Sequence, residues 1–204
     1  PTPSPLRQAW YDHGVLLLRG QDLTDEQQVA YADVFGPQMM AHATRRLEGR
    51  PQSIMLISNI RENGKPIGAL PDGEMFFHSD LCYIEHPVVG TMLYSIEVPS
   101  VGGNTLFADQ YAAYEALSPA MQAKIDPLMA TNRYEIGYDV TIRRGRASPD
   151  APHWTHPMVR VHPQTGRKSL YINRLMTHDI EGMAQAEAEA LLDQLYDHQE
   201  QKRF

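Results

Sequence analysis

Apolar positions from Ser4 to His13 recur with helical spacing, and Gly14 follows where a left-handed C-terminal cap belongs. The pattern then changes to an unbroken apolar run, Val15-Leu16-Leu17-Leu18, which reads as a short, fully buried strand. Thr24 with Gln27 three positions later makes a capping box, predicting a helix through Val29, Ala30, Ala32 and Val34 that Gly36 and Pro37 close. The front third therefore reads helix, strand, helix.

Further along, Ser53 to Ser58 reads as a strand. Residues 61–73 carry three Gly, two Pro and an Asn-Gly, marking a long loop of the kind that is often functional. Strand-like runs follow at Val88 to Val98 and Thr105 to Ala108, with Gly102 and Gly103 as the turn between them. Period-two alternation puts Met92, Tyr94, Ile96 and Val98 on one face of the first run. Helices are expected from Ala112 to Leu117 and from Ser118 to Met129, the second with Ser118 at the N-cap and Pro119 at N1. Residues 139–156 mix Arg, Gly, Pro and Asp without periodicity and read as a mobile loop. Met158 to Val161 and Ser169 to Ile172 are strands flanking Pro163-Gln164-Thr165-Gly166, a hairpin signal, and Glu187 to Tyr196 is an amphipathic helix with Ala188, Leu191, Leu192 and Leu195 inward. Strands joined by tight turns, with helices set between groups of them, predict an α+β fold on a mainly antiparallel core.

Composition narrows the function classes. The 204 residues hold 18 Lys+Arg against 25 Asp+Glu, a net charge of -7, which gives no footprint for gripping nucleic acid or an anionic lipid surface. No apolar run reaches 18 residues and mean hydropathy is -0.43, so no membrane-spanning segment is expected. The single cysteine, Cys82, excludes an internal disulfide and a Cys-based zinc site, and a reducing cytoplasm is the simpler home. The length suits one domain spanning residues 1–204. The chain starts at Pro1 with neither Met nor a signal-peptide pattern.

His78-Ser79-Asp80 is the sharpest chemical feature. In extended backbone, residues i and i+2 project to one side, so an imidazole nitrogen and a carboxylate can meet a single ion. Two His and one carboxylate on one face, with open positions, is the arrangement of non-heme Fe(II) oxygenases. The triplet alone is weak: nine His and thirteen Asp in this length give about half an occurrence of His-x-Asp by chance.

Its surroundings carry more weight. His78-Ser79-Asp80-Leu81-Cys82-Tyr83-Ile84-Glu85-His86-Pro87 is followed by Val98-Pro99-Ser100-Val101-Gly102-Gly103-Asn104-Thr105-Leu106-Phe107 and by Ala112-Ala113-Tyr114-Glu115-Ala116-Leu117. Then come His156-Pro157-Met158-Val159-Arg160-Val161-His162-Pro163, Thr165-Gly166-Arg167-Lys168 and Leu170-Tyr171-Ile172-Asn173. This ordered set, with Gly14 to Gly20 and Leu23 to Pro37, resembles the taurine dioxygenase / TfdA family across most of the chain.

The resemblance implies an Fe(II)- and 2-oxoglutarate-dependent dioxygenase on a distorted jelly-roll, using O2 to hydroxylate a small organic acid, with release of succinate and CO2. It makes His78 and Asp80 the catalytic metal ligands and gives Thr105 a hydroxyl contact to the 2-oxoglutarate carboxylate, which needs compensating donors wherever it is buried. It implies a distal His and a carboxylate-gripping Arg on strands that follow the last helix here. Neither is present among residues 1–204, so the sequence is expected to be part of a longer chain. His153, His156, His162, His178 and His198 follow the motif, but none stands in the distal-His context; His156 and His162 mark the ends of a strand.

Substrate contacts are expected from Glu74, Tyr83 and His178. Phe77 stands where the family usually has Trp and keeps an aromatic wall. Glu74 stands where taurine-specific members have Asn, and its carboxylate repels an anionic group unless a cation neutralises it. Taurine-like, sulfate-ester-like and phenoxyalkanoate-like acids are the substrate classes considered. His178, in Met176-Thr177-His178-Asp179-Ile180, resembles a pocket loop of phenoxyacetate-type members. Cys82 reads as a small buried hydrophobe rather than a nucleophile, and Arg143, Arg144 and Arg146 as a solvated cluster. The rival readings are a family-like domain that binds metal or ligand without turnover, a fragment with an incomplete site, and a His-Asp zinc hydrolase. A homo-oligomer is expected only by analogy with the family.

Overall fold

In the computed structural model, which describes residues 4–40, 48–68, 76–134 and 150–204, the chain divides into two units, residues 1–74 with 89–98 and residues 75–88 with 99–204. No helix among the described residues is long and apolar enough to cross a membrane.

In the first unit α1 (Pro5–His13) begins as its sequence demands. Ser4 Oγ accepts the Arg7 N–H at 3.3 Å, Pro5 fills the first helical position, and Gly14 closes the helix at φ 72°. The capping box of α2 (Asp25–Ala32) is complete in both directions, Gln27 N–H to Thr24 Oγ1 and Thr24 N–H to Gln27 Oε1. Arg50 pairs bidentately with Asp25 in its first turn and holds that carboxyl below the usual range. The segment expected as a long loop begins as a hairpin, with β1 (Arg61–Glu62) antiparallel to β2 (Lys65–Pro66). Asn63 and Gly64 at φ 51° and 77° form the turn, whose two left-handed positions suit the twist of the strands.

Three expected strands in this unit are irregular. Val15, Leu17 and Leu18 are 45%, 72% and 47% exposed, against the expectation of a fully buried strand. Ser53–Ser58 forms only single-residue bridges at Met55 and Ile57, although its exposure alternates as a strand's would. Along residues 88–98 the period-two face persists at Met92 and Tyr94, which are half-buried, and fails at the exposed Ile96 and Val98. A strand exists only by hydrogen bonding to a neighbour, and none of these runs has a ladder partner among the described residues.

The second unit holds the core. Asp109 caps α3 (Gln110–Glu115) by accepting from the Tyr111 and Ala112 N–H groups. Ser118 and Pro119 open α4 (Pro119–Ile125) as expected. This helix ends at Ile125 rather than Met129, because Met129 begins β3 (Met129–Arg133), the middle strand of a three-stranded antiparallel sheet. On one side lies β4 (His153–Pro157), a strand where a loop was expected; residues 135–149, which include Arg143, Arg144 and Arg146, lie outside the described residues. On the other side lies β7 (Thr177–Ile180). β3 carries buried polar residues that find partners across the sheet. Thr131 Oγ1 meets Thr155 Oγ1 at 2.9 Å, and Asn132 Oδ1 accepts from Thr177 Oγ1 at 2.7 Å.

The expected hairpin is present as β5 (Val159–Val161) against β6 (Lys168–Leu170), in the register Val159 to Leu170. Thr105–Ala108, expected as a strand, is irregular, with Leu106 and Phe107 exposed. α5 (Gln185–Gln199) presents Ala188, Leu191, Leu192, Leu195 and Tyr196, all buried, to a core with Ile125, Ala130, Met158, Leu170 and Ile180. The observed fold is α+β, with antiparallel pairing in each of the strand pairs β1–β2, β3–β4, β3–β7 and β5–β6.

Because Leu192 is fully buried in this cluster, Leu192→Ala should cost about 2–5 kcal/mol in urea unfolding. Leu106→Ala, at an exposed position, should stay within about 0.5 kcal/mol of wild type.

Candidate metal centre

The segment that follows Phe76 has no regular secondary structure, so its shape is set by individual hydrogen bonds. The Phe76 carbonyl takes the Nδ1 hydrogen of His78 at 2.9 Å, which fixes the ring and its tautomer and turns Nε2 away. Nε2 stands 3.3 Å from Asp80 Oδ1. The two side chains keep about 25% and 46% of their surface open. Bonding to Asp80 holds the His78 pKa above its ordinary value, against the opposing effect of burial.

Leu81, the next residue, lies at φ 54°, a left-handed conformation that a branched side chain adopts only when its surroundings enforce it. The Ile84 N–H closes the turn on the Leu81 carbonyl at 3.2 Å. Cys82 is 1% exposed; its thiol donates to Met176 Sδ at 3.7 Å and accepts from Asn173 Nδ2 at 3.5 Å. Burial pushes this thiol up to about 11, so it behaves as the small hydrophobe expected rather than as a nucleophile. Tyr83 is half-buried and stacks on Tyr134, ring centroids 4.6 Å apart and planes tilted by 34°. His156 Nε2 donates to the Ile84 carbonyl at 2.9 Å.

His78 and Asp80 are thus brought together as their spacing implied. Thr105 lies in exposed, irregular backbone. His178 is 6% exposed on β7, not in a loop, and lies where the register against β3 slips by one residue between the Thr131–Asp179 and Asn132–Thr177 pairs. Glu74 lies outside the described residues. Four of the later histidines make ring hydrogen bonds to backbone: His153 to Ala151, His156 to Ile84, His162 to the Gln164 and Thr165 N–H groups, and His198 to Ala113. Sequence reasoning missed Asn173, Met176 and Tyr134 as supports of the turn. Asn173 stood there in the Leu170-to-Asn173 run and Met176 in the Met176-to-Ile180 run, while nothing marked Tyr134.

An imidazole nitrogen and a carboxylate oxygen 3.3 Å apart fit one divalent ion, since such donors sit about 2.0–2.2 Å from it. The donor set is that of a borderline transition ion, and the Phe76 contact supplies the second-sphere hydrogen bond typical of a metal-bound His. Among the described residues no third His, Cys, Asp or Glu joins them.

The comparisons with known proteins point the same way. Residues 4–204 match the family described as "Taurine catabolism dioxygenase TauD, TfdA family". The chain is 35% identical over 209 residues to an (S)-phenoxypropionate/alpha-ketoglutarate-dioxygenase of Sphingobium herbicidovorans, covering 94% of this chain and 68% of that protein. Among solved structures it resembles a taurine dioxygenase from Burkholderia xenovorans, with TM-score 0.74 and 27% identity over 100% of this chain and 67% of that one. It also resembles AAD-2 in complex with Mn(II) and N-oxalylglycine, with TM-score 0.66 and 25% identity over 100% and 73% of the two chains.

The contact between His78 and Asp80 has a measurable signature. The paired, charged imidazole adds stability that is fully present below the ordinary imidazole pKa of about 6.5 and is lost as pH rises through the raised value. In metal-free protein followed by NMR, Asp80→Asn should therefore lower the pH at which His78 titrates; an unchanged midpoint would show that the two side chains do not meet in solution.

Proposed function

The chain belongs to the TauD/TfdA dioxygenase family and is an alpha-ketoglutarate-dependent dioxygenase, and we propose that it uses Fe(II) held by His78 and Asp80 to hydroxylate a small organic acid. The observation that carries this reading is the convergence of His78 Nε2 and Asp80 Oδ1 on a turn whose backbone is tied to buried groups. Residues 1–204 are taken as belonging to one dioxygenase domain, a distorted jelly-roll to which the observed antiparallel pairs contribute.

When bound, the iron supplies the oxidative chemistry in which O2 gives one oxygen atom to a substrate C–H bond and the other to 2-oxoglutarate, leaving a C–OH group, succinate and CO2. The protein's share is positional. Phe76 orients the His78 ring through its carbonyl, and Asp80 carries a charge that lowers the net charge of the ion it holds. Thr105 donates its hydroxyl to the distal carboxylate of 2-oxoglutarate. That carboxylate also needs a cation, and the ion needs a third donor besides the two described.

Tyr83, backed by Tyr134, offers an aromatic surface three residues from Asp80 and supports a phenoxyalkanoate-like acid as substrate. Its stacking would add about 0.5–1.5 kcal/mol for an aryl group. Glu74 disfavours a sulfonate at its position and so weighs against taurine, while His178 completes the substrate-facing set. Hydroxylation beside an ether oxygen would give an unstable product that fragments. The rival reading, a domain that binds metal without turnover, is favoured by the presence of just two converging donors among the described residues.

Stoichiometric succinate from 2-oxoglutarate in the presence of Fe(II), O2 and a phenoxyalkanoate separates the two. Asp80→Ala should abolish both Fe(II) binding and succinate formation while far-UV circular dichroism is unchanged. Thr105→Val should leave metal binding intact and raise the KM for 2-oxoglutarate about 10- to 100-fold, as expected for losing one hydrogen bond to a charged group. No succinate with any phenoxyalkanoate, sulfonate or sulfate ester, despite bound Fe(II), would establish the binding reading instead.

A further inference from the structure

The turn from Asp80 to Ile84 contains an element that its own sequence does not favour. Leu81 occupies left-handed backbone at φ 54°, a conformation that is costly for a non-glycine residue and persists only where neighbouring contacts over-determine it. Two contacts do so, one on each side of Tyr83. Asn173 and Met176 grip the thiol of Cys82, and His156 Nε2 holds the carbonyl of Ile84 at 2.9 Å. The first is a pair of long contacts to sulfur and is weak. The second is an N–H···O bond of ordinary length from a residue that is 7% exposed.

His156 is itself held. It lies on β4, which pairs with β3 through five residue pairs, His156 opposite Ala130. The Tyr171 ring meets its imidazole edge to face, at 5.6 Å and 80°, and Arg160 lies over the other reach of Tyr171, 4.5 Å from its centroid. Burial keeps the imidazole pKa low, favouring the neutral ring, and Nε2 then carries the one hydrogen that the Ile84 carbonyl needs. The sheet therefore ends in a rigid donor that reaches the backbone four residues beyond Asp80.

We propose that His156 is a positioning residue for the metal-binding carboxylate: by holding the Ile84 carbonyl it maintains the left-handed turn at Leu81 that sets the direction of Asp80. The inference rests on the dioxygenase reading above, since it concerns how Asp80 meets the ion. It assigns His156 no contact with the metal. Removing the bond should leave the sheet in place and let the turn relax to ordinary backbone, so that Asp80 meets the ion in the wrong direction.

The test is anaerobic Co(II) titration of the intact protein, read by affinity and by the visible ligand-field bands, whose intensity reports coordination geometry. His156→Leu should weaken Co(II) about tenfold, at the lower end of what lost outer-sphere support costs, and change the band pattern. His156→Gln, whose amide can still donate to Ile84, should restore both. If His156→Leu does not fold by circular dichroism, His156→Asn replaces it, being polar but too short to reach the carbonyl, with the same loss expected. Wild-type affinity and bands in the variant lacking the bond overturn the proposal. So does an equal loss in His156→Gln with the fold intact, because the bond would not then be what matters. Wild-type protein that binds no Co(II) at all overturns the assignment of a metal to His78 and Asp80, and this inference with it.

Discussion

The arrangement of the second unit turns on one chain of hydrogen bonds that links polar side chains enclosed beside the apolar core. Asn132 is fully buried and its Oδ1 is satisfied by the Thr177 hydroxyl, whose oxygen in turn accepts from the Asn173 N–H at 2.9 Å. Asn173 Oδ1 accepts from the Met176 N–H at 2.8 Å, and its amide nitrogen reaches Cys82. This chain runs from the middle strand of the sheet, through the loop before β7, to the turn that carries Asp80. Breaking any link strands a buried donor or acceptor at a cost of about 1–3 kcal/mol. The ligand turn thereby inherits its position from the sheet.

The apolar core sits behind that chain. Tyr196 of α5 contributes both apolar area and a hydroxyl that donates to the Thr177 carbonyl at 3.1 Å, and Gln199 Nε2 donates to the Ile172 carbonyl at 3.1 Å. Arg174, one residue beyond Asn173, is gripped by Asp197 of α5 and by Glu200 at its C-cap, and lies over the Tyr196 ring. The loop that presents Asn173 to Cys82 is thus locked to the helix on its far side. Partly exposed ion pairs contribute little stability one at a time, but here Tyr196 and Asp197 of α5 and the C-cap Glu200 together fix one arginine, and the benefit is register rather than energy.

How much of this the sequence revealed depended on whether a signal was local. The caps at Gly14, Thr24 and Ser118, the β5–β6 hairpin and the inward face of α5 are each encoded within a few residues, and each is present. The strand β3 was hidden because Thr131 and Asn132 look solvent-facing until Thr155 and Thr177, distant in sequence, supply their partners. β4 was hidden for a similar reason, its sequence His153-Trp154-Thr155-His156-Pro157 offering no alternation. The opposite error arose at Val15–Leu18 and residues 88–98. There the apolar pattern is sound, but pattern alone does not supply a hydrogen-bonded neighbour.

The same division runs through the site. His78 and Asp80 were legible because two positions suffice to bring an imidazole and a carboxylate together, and the Phe76 carbonyl that orients the ring is also local. What holds the pair was not legible. His156 is 72 residues from Ile84, and Asn173 is 91 from Cys82. A reading of residues one at a time sees His156 beside a proline and sets it at the edge of the Met158–Val161 strand, whereas it lies within β4, a strand of its own. Only the fold shows what that strand end touches. A turn proposed to bind metal that lacks regular secondary structure has no helix or sheet of its own to keep its side chains aligned. It must borrow rigidity from buried side chains elsewhere, so for such a site the residues that determine the geometry are those farthest from the motif in sequence.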